Sequence, residues 1–155
     1  MKKTVLREYA RLIVRSGVNV QKGQEVIVYA DLDQPEFVAM VVDEAYKAKA
    51  KKVTVEWSYQ PLQKLHSRYQ SVSTMGKVED WVAARQEHYC QVLPCRIHLI
   101  SEDPDGLQGV RTDKIAKARQ MSYPILRPYI ERRENREQWC IAAVPGVAWA
   151  QKLVP

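Results

Sequence analysis

The stretch from Val5 to Trp57 constrains the fold more than any other, because its hydrophobic spacing switches from helical to extended, back to helical, and to extended again. Leu6, Tyr9, Ala10 and Ile13 fall at i, i+3, i+4 and i+7, the apolar stripe of an amphipathic helix. Gly17 stands where a left-handed C-cap would end that helix near Ser16. Gly23, within the polar run Asn19 to Gln24, supplies a second permissive backbone position, and Val26, Ile27, Val28, Tyr29 and Ala30 then form a short apolar run that reads as a buried strand. Asp33 with Glu36 three residues on, and Pro35 between them, has the form of a capping box. It would open a helix whose Phe37, Val41, Ala45 and Ala48 share one face. Val53, Val55 and Trp57 alternate with Thr54 and Glu56 as a second strand. A strand, helix and strand of these lengths form a right-handed crossover between parallel strands, since the connection is too long for a hairpin.

The remaining chain continues the pattern. A short helix from Pro61 is predicted to carry Leu62, Leu65 and Tyr69 inward, with Ser71 to Gly76 as a loop or rim. Val78, Trp81, Val82, Arg85 and Tyr89 keep helical spacing up to Pro94, and Arg96 to Ser101 reads as a third strand. Glu102 to Gly106 is a strong turn signal. Thr112 is the expected N-cap of a helix using Ile115, Ala116 and Ala118, which Pro124 and Pro128 would kink or divide before Tyr129 and Ile130. Trp139 to Val144 forms a fourth strand ended by Pro145 and Gly146. The fold class implied is α/β: an open, mostly parallel sheet of about four or more strands with helices on both faces, a Rossmann-like layering.

At 155 residues the chain is read as a single domain, able to bury a core without disulfides. Cys90, Cys95 and Cys140 are an odd number, and Met1, Lys2 and Lys3 lead straight into an amphipathic helix, so a reducing cytoplasm is the expected setting. No apolar run approaches the roughly 20 residues of a membrane span. The formal charge of +6 comes from basic residues scattered through Lys47 to Lys52, Lys114 to Arg119 and Arg127 to Arg136, interleaved with apolar helix positions. That is the pattern of solvated faces, and it argues against a nucleic-acid surface.

The sequence offers several candidate chemical constellations. His88, Cys90, Cys95 and His98 are four potential zinc ligands in a short span, converging only if the intervening loop folds back; otherwise they are ordinary thiols and an edge-strand histidine. The junction Ala30 to Gln34 lacks the glycines of a dinucleotide fingerprint, and its carboxylates would repel a pyrophosphate. No nucleophile elbow is present, and no histidine has a serine or cysteine partner in a known order. Asp31 and Asp33 lie at the carboxyl end of the first strand, where open α/β sheets place ligands, and either bind or cap. Trp57, Trp139 and Trp149 either line a site or, as the simpler reading, fill the core. The apolar end from Val147 to Pro155 reads as an interior cut in a longer protein.

Three stretches carry a family resemblance. Tyr9-Ala10 with Ser16 to Gln24, then Ala45 to Ala48 and Ala50 to Trp57, are followed in the same order by Asp103 to Val110 and by Ala143 to Pro145 with Ala148 to Pro155. Together these resemble the amino-terminal region of the aminopeptidase T, aminopeptidase S and PepS family of metallo-aminopeptidases. The resemblance implies the N-terminal part of a longer enzyme whose C-terminal catalytic domain, absent here, holds two divalent metal ions (zinc, cobalt or manganese). Residues of this chain would wall the active-site cavity and support a homodimer, the substrate being a peptide. No catalytic, metal or cofactor-binding residue carries over onto this sequence. Asp31, Asp33, Trp57 and Trp149 are the candidate cavity or interdomain contacts. Two departures stand out: Lys49 where family members carry glycine, and Ser58-Tyr59-Gln60 where they carry an acidic pair. The competing readings are a free-standing basic α/β module for a protein or nucleic-acid partner, and a structural zinc domain.

Overall fold

The computed structural model describes residues 2–153; Val154 and Pro155 of the apolar end, and Met1, lie outside the described residues. Among the described residues the chain divides into two compact units.

The first unit, Met1–Tyr59, Pro94–Pro104 and Glu137–Pro155, holds the whole sheet. Its strands are β1 (Glu25–Asp31), β2 (Lys52–Ser58), β3 (Cys95–Ile100) and β4 (Trp139–Ala143), in the order β2-β1-β3-β4. Every pairing is parallel: Val28 lies beside Val55 and Ile97, and Ile97 beside Cys140. α1 (Lys3–Leu12) and α2 (Pro35–Lys47) join one sheet face in a shared core. Val14, Val28, Val41 and Ile97 are fully buried there, and each such side chain contributes about 1.5–3 kcal/mol of transfer free energy. Phe37, Val41, Ala45 and Ala48 are buried as the helical spacing predicts. α7 (Val147–Leu153) follows the Pro145-Gly146 break.

The end of the first helix departs from the expected C-cap. After Leu12 the helix widens into a π-helical turn, Ile13–Gly17, closed by the Val18 amide donating to the Ile13 carbonyl at 2.9 Å. The left-handed residue is Asn19, at φ 51°, rather than Gly17. Gly17 is required for space: a Cβ there would lie 2.8 Å from Cys140 Sγ. Gly23 does take the left-handed conformation, at φ 79°.

Asp33 does not cap α2. The N-cap is Gln34, which makes no side-chain cap bond, and its Nε2 instead donates to the Val144 carbonyl at 2.7 Å. The tryptophans are not core fillers either: Trp57 and Trp139 are 46% and 64% exposed, and Trp149 is half-buried. The apolar space is already occupied by small β-branched side chains and alanines.

The second unit, Gln60–Leu93 and Asp105–Arg136, is helical. It comprises α3 (Gln60–Tyr69), α4 (Val72–Gly76), α5 (Asp80–Val92) and α6 (Thr112–Arg133). α3 turns the other way from expectation: Leu62, Leu65 and Tyr69 are exposed, while Ser67 is buried. The small Ser67 permits close approach, and Lys114 Nζ donates to its carbonyl at 2.7 Å. The segment expected as a loop after Ser71 is helical, because the Ser71 hydroxyl caps α4 by accepting from the Thr74 amide at 3.1 Å. α4 sits tightly on α6, since a Cβ on Gly76 would lie 2.9 Å from the Ala118 carbonyl oxygen.

α6 starts one residue earlier than expected, with Arg111 rather than Thr112 as N-cap, and it is not divided by its prolines. Pro124 and Pro128 are four apart and both exposed. The carbonyls their missing amides leave free, those of Gln120 and Pro124, are therefore on an outer face where water can serve them. Arg132 forms two bonds with the Glu87 carboxylate at 2.6 and 2.9 Å, tying α6 to α5.

Candidate functional site at the strand carboxyl ends

The strand order fixes where a site can form. The chain leaves β1 toward β2 on one side and returns past β1 to β3 on the other, so the loops part at the carboxyl ends of β1 and β3. Open parallel sheets bind ligands in that crevice. Asp31 ends β1, and Ser101 and Glu102 directly follow β3.

Asp31 is 8% exposed. Burial is the main cause that raises its carboxyl above the usual carboxylate range, and the charges of Asp33 and Glu102 push the same way. The Leu32 amide and the Ser58 hydroxyl bond to the carboxyl and pull partly back. The Ser101 hydroxyl donates to the Asp33 carboxylate, and the Ser101 amide donates to Glu102 Oε2 at 3.1 Å. Gly146, after β4, approaches the same place so closely that a Cβ would lie 2.7 Å from Asp33 Oδ2 and 3.2 Å from the Ser101 carbonyl oxygen. The arrangement is a small acidic rim, closed on one side by a glycine and ordered by one serine.

Of the four residues singled out from sequence, the structure brings Asp31 and Asp33 together. Trp57 is on β2 beside Ala30, on the sheet face opposite Asp31 by strand alternation, and Trp149 is on α7. Ser101, Glu102, Gln34 and Gly146 were not singled out. Their only signal in the sequence is position: two follow a strand, and the others flank one helix and one strand end.

On the face opposite the core, Tyr29 and His98 are cross-strand neighbours whose rings stack with centroids 4.6 Å apart. Arg96 donates to the Tyr29 hydroxyl and to Glu137 Oε1 at 2.8 Å. Burial, then the Arg96 charge, pushes the His98 pKa down, so its imidazole is neutral at physiological pH.

The candidate zinc set is not assembled. Cys95 is fully buried on the core side, its thiol pushed up to about 11 by burial, whereas His98 faces the other side of the sheet. Cys90 Sγ donates to the Tyr129 carbonyl at 3.4 Å, and His88 is exposed on α5. A pair of divalent metals does not fit this chain's donors either: among the described residues, no group of three or more His, Cys, Asp or Glu is placed to hold a metal ion. In the acidic rim, burial raises the Asp31 carboxyl above the usual carboxylate range and the Asp33 carboxylate accepts from the Ser101 hydroxyl.

Comparisons with known proteins match this architecture to longer chains. Aminopeptidase AmpS of Bacillus subtilis (strain 168) is 33% identical over 153 residues, aligning 97% of this chain with 37% of the relative. Aminopeptidase PepS of Streptococcus thermophilus is 29% identical over 151 residues, and aminopeptidase T of Thermus thermophilus 26% over 151, each again covering 97% of this chain and 37% of the relative. A solved structure of wild-type AmpT from Thermus thermophilus superposes with a TM-score of 0.81 at 26% identity, covering 96% of this chain and 38% of that one. The chain thus spans little more than a third of the length of the curated relatives it matches. With residues 2–155 matching the thermophilic metalloprotease (M29) family, the chain belongs to that family and corresponds to the amino-terminal part of its members.

Proposed function

We propose that this chain acts as the amino-terminal domain of a cytoplasmic metal-dependent aminopeptidase, an enzyme that removes single residues from the amino termini of peptides. The observation that carries this reading is the family match over residues 2–155, shared with relatives that are all named aminopeptidases. Two divalent ions, zinc, cobalt or manganese, would be held by a second, carboxy-terminal domain. That division of labour is supported by the 37% coverage of the relatives, and among the described residues no group of three or more His, Cys, Asp or Glu is placed to hold a metal ion. A bimetallic site lowers the pKa of a bridging water and polarises the scissile carbonyl.

This chain's part is to wall the cavity and support a homodimer, without turnover of its own. Asp31 and Asp33 contribute an acidic rim suited to a peptide's ammonium group, and Trp57 and Trp149, both with exposed ring surface, contribute contacts to the neighbouring domain. The test is hydrolysis of aminoacyl nitroanilides with added zinc, cobalt or manganese, by the 155-residue chain and by a full-length protein containing it. Metal-dependent turnover only by the longer protein is the expected result; turnover by the short chain alone refutes the proposal.

A further inference from the structure

The helical unit carries a cavity of about 330 Å³ between α3 and the loop that leads into α6. It is lined by Lys64, Ser67 and Arg68 on one side and by residues 108–111 on the other. Three of these side chains are cationic and none is acidic.

Lys64 and Arg68 sit one helical turn apart on α3, a like-charge i,i+4 pair that costs a helix a few tenths of a kcal/mol. Neither has a carboxylate partner among the described residues. Arg111 closes the opposite wall, its guanidinium held by an exposed pair with Asp113 at 3.1 Å that solvent screens and a stronger anion can displace. A fourth cation stands behind: Lys114 Nζ donates to the carbonyl of the lining residue Ser67 at 2.7 Å.

The backbone of the loop is shaped for access. Gly109 adopts φ 79°, a conformation that side chains other than glycine rarely take, and no atom lies within 4 Å of where its Cβ would be. The loop is therefore uncrowded at this position, with no protein atom close on the side where a side chain would stand.

We propose that this cavity is an oxyanion-binding site, taking a tetrahedral phosphate or the terminal carboxylate of a small peptide. Arg68 supplies a planar two-donor contact, Lys64 a point charge on the same side, and Arg111 the opposing clamp. Burying an oxyanion between them relieves the repulsion along α3. The site is independent of the proposed peptidase role, since it asks only for an anion and uses none of the acidic rim.

The test uses the intact 155-residue chain, titrated by calorimetry and by amide NMR at low ionic strength with three probes. These are inorganic phosphate, the dipeptide Ala-Ala, and its C-terminal carboxamide. Saturable binding with shifts at residues 64–68 and 108–111 is expected for phosphate, for the free dipeptide, or for both, and not for the carboxamide. Whichever anion binds more tightly identifies the source. Lys64→Gln with Arg68→Gln should weaken binding about tenfold or more, as expected for lost charged hydrogen bonds, and Arg68→Lys should restore part of it. These side chains are on the surface of α3, and an unchanged circular dichroism spectrum checks the variants' fold. No saturable shift with either anion, equal binding of the carboxamide, or binding unaffected by the double substitution overturns the proposal.

Discussion

Gly17→Ala should destabilise the α/β unit through one atom, and a second substitution should restore the loss. A Cβ at Gly17 would lie 2.8 Å from Cys140 Sγ, whereas ordinary contact begins at 3.4 Å; its next neighbours, Cys140 Cβ and the Leu12 carbonyl oxygen, are 3.7 Å away. The backbone at Gly17 needs no glycine conformation, since the left-handed residue of this turn is Asn19. Alanine would in fact be favoured at a helix end by about 0.5–1 kcal/mol. The sulfur can yield only by leaving its rotamer in β4, and overpacking of this kind costs about 1–3 kcal/mol. Gly17→Ala should therefore lower stability by a net ~1 kcal/mol, or about 3 °C in Tm for a chain of this size. Cys140→Ala alone removes a half-buried sulfur and costs ~1 kcal/mol. In the double variant the nearest atom is at 3.7 Å, so the clash vanishes and the two effects should couple favourably by about 1–2 kcal/mol. Urea unfolding of the four proteins followed by circular dichroism measures the cycle. Additivity within about 0.5 kcal/mol would refute steric exclusion as the reason for Gly17.

Three other expectations follow from single sites. Lys49 holds φ 71° in the turn from α2 to β2, so Lys49→Gly should stabilise the chain by about 0.5–1 kcal/mol, read as a raised urea midpoint with an unchanged slope. Glu137 and Arg96 pair at 2.8 Å with side chains only 16% and 11% exposed, so Glu137→Ala should cost ~3 kcal/mol by stranding the guanidinium, while replacing both by methionine should cost less, as measured by thermal unfolding. The folded Asp31 carboxyl holds its proton above the ordinary value of 3.8, so its ionisation destabilises the fold progressively as pH rises from about 4 through the raised pKa. Asp31→Asn should accordingly match the parent at pH 3 and exceed it in stability at pH 7, and a gain at pH 3 that disappears at pH 7 would reverse the assignment.

The β1-α2-β2 unit was legible because its signals are local. Val26 to Ala30 is too short and too apolar for anything but a buried strand, and the buried face of α2 follows directly from helical spacing. Lys49, a departure from the family glycine, nonetheless takes the left-handed conformation in the turn between α2 and β2. What could not be read locally was competition from afar. Asp33 and Glu36 have the spacing of a capping box, yet the Asp33 carboxylate is taken by Ser101, which is 68 positions along the chain. Gly17 looked like a conformational glycine and is a spatial one, because Cys140 arrives from the last strand. The tryptophans and the leucines of α3 misled for a related reason. Hydrophobicity marks what can be buried, whereas the order of strands and the small residues at contacts decide what is.

The same asymmetry explains why Asp31 and Asp33 are candidates from the sequence while the residues the structure sets beside them are not. Asp31 could be placed at a strand end by counting, and a parallel sheet puts strand ends where ligands bind. Ser101, Glu102 and Gly146 become members only through the order β2-β1-β3-β4, which sets the ends of β1 and β3 side by side. That order also imposes the electrostatic cost. Asp31 is the residue of the rim that the sheet buries, and its neighbours Asp33 and Glu102 add negative charge that one amide and one hydroxyl only partly offset. A fold selected for stability alone would place asparagine there, keeping the hydrogen bonds and losing the charge. A carboxyl retained at a net cost, in the crevice where such sheets receive ligands, is the arrangement expected when the charge acts on something other than the fold.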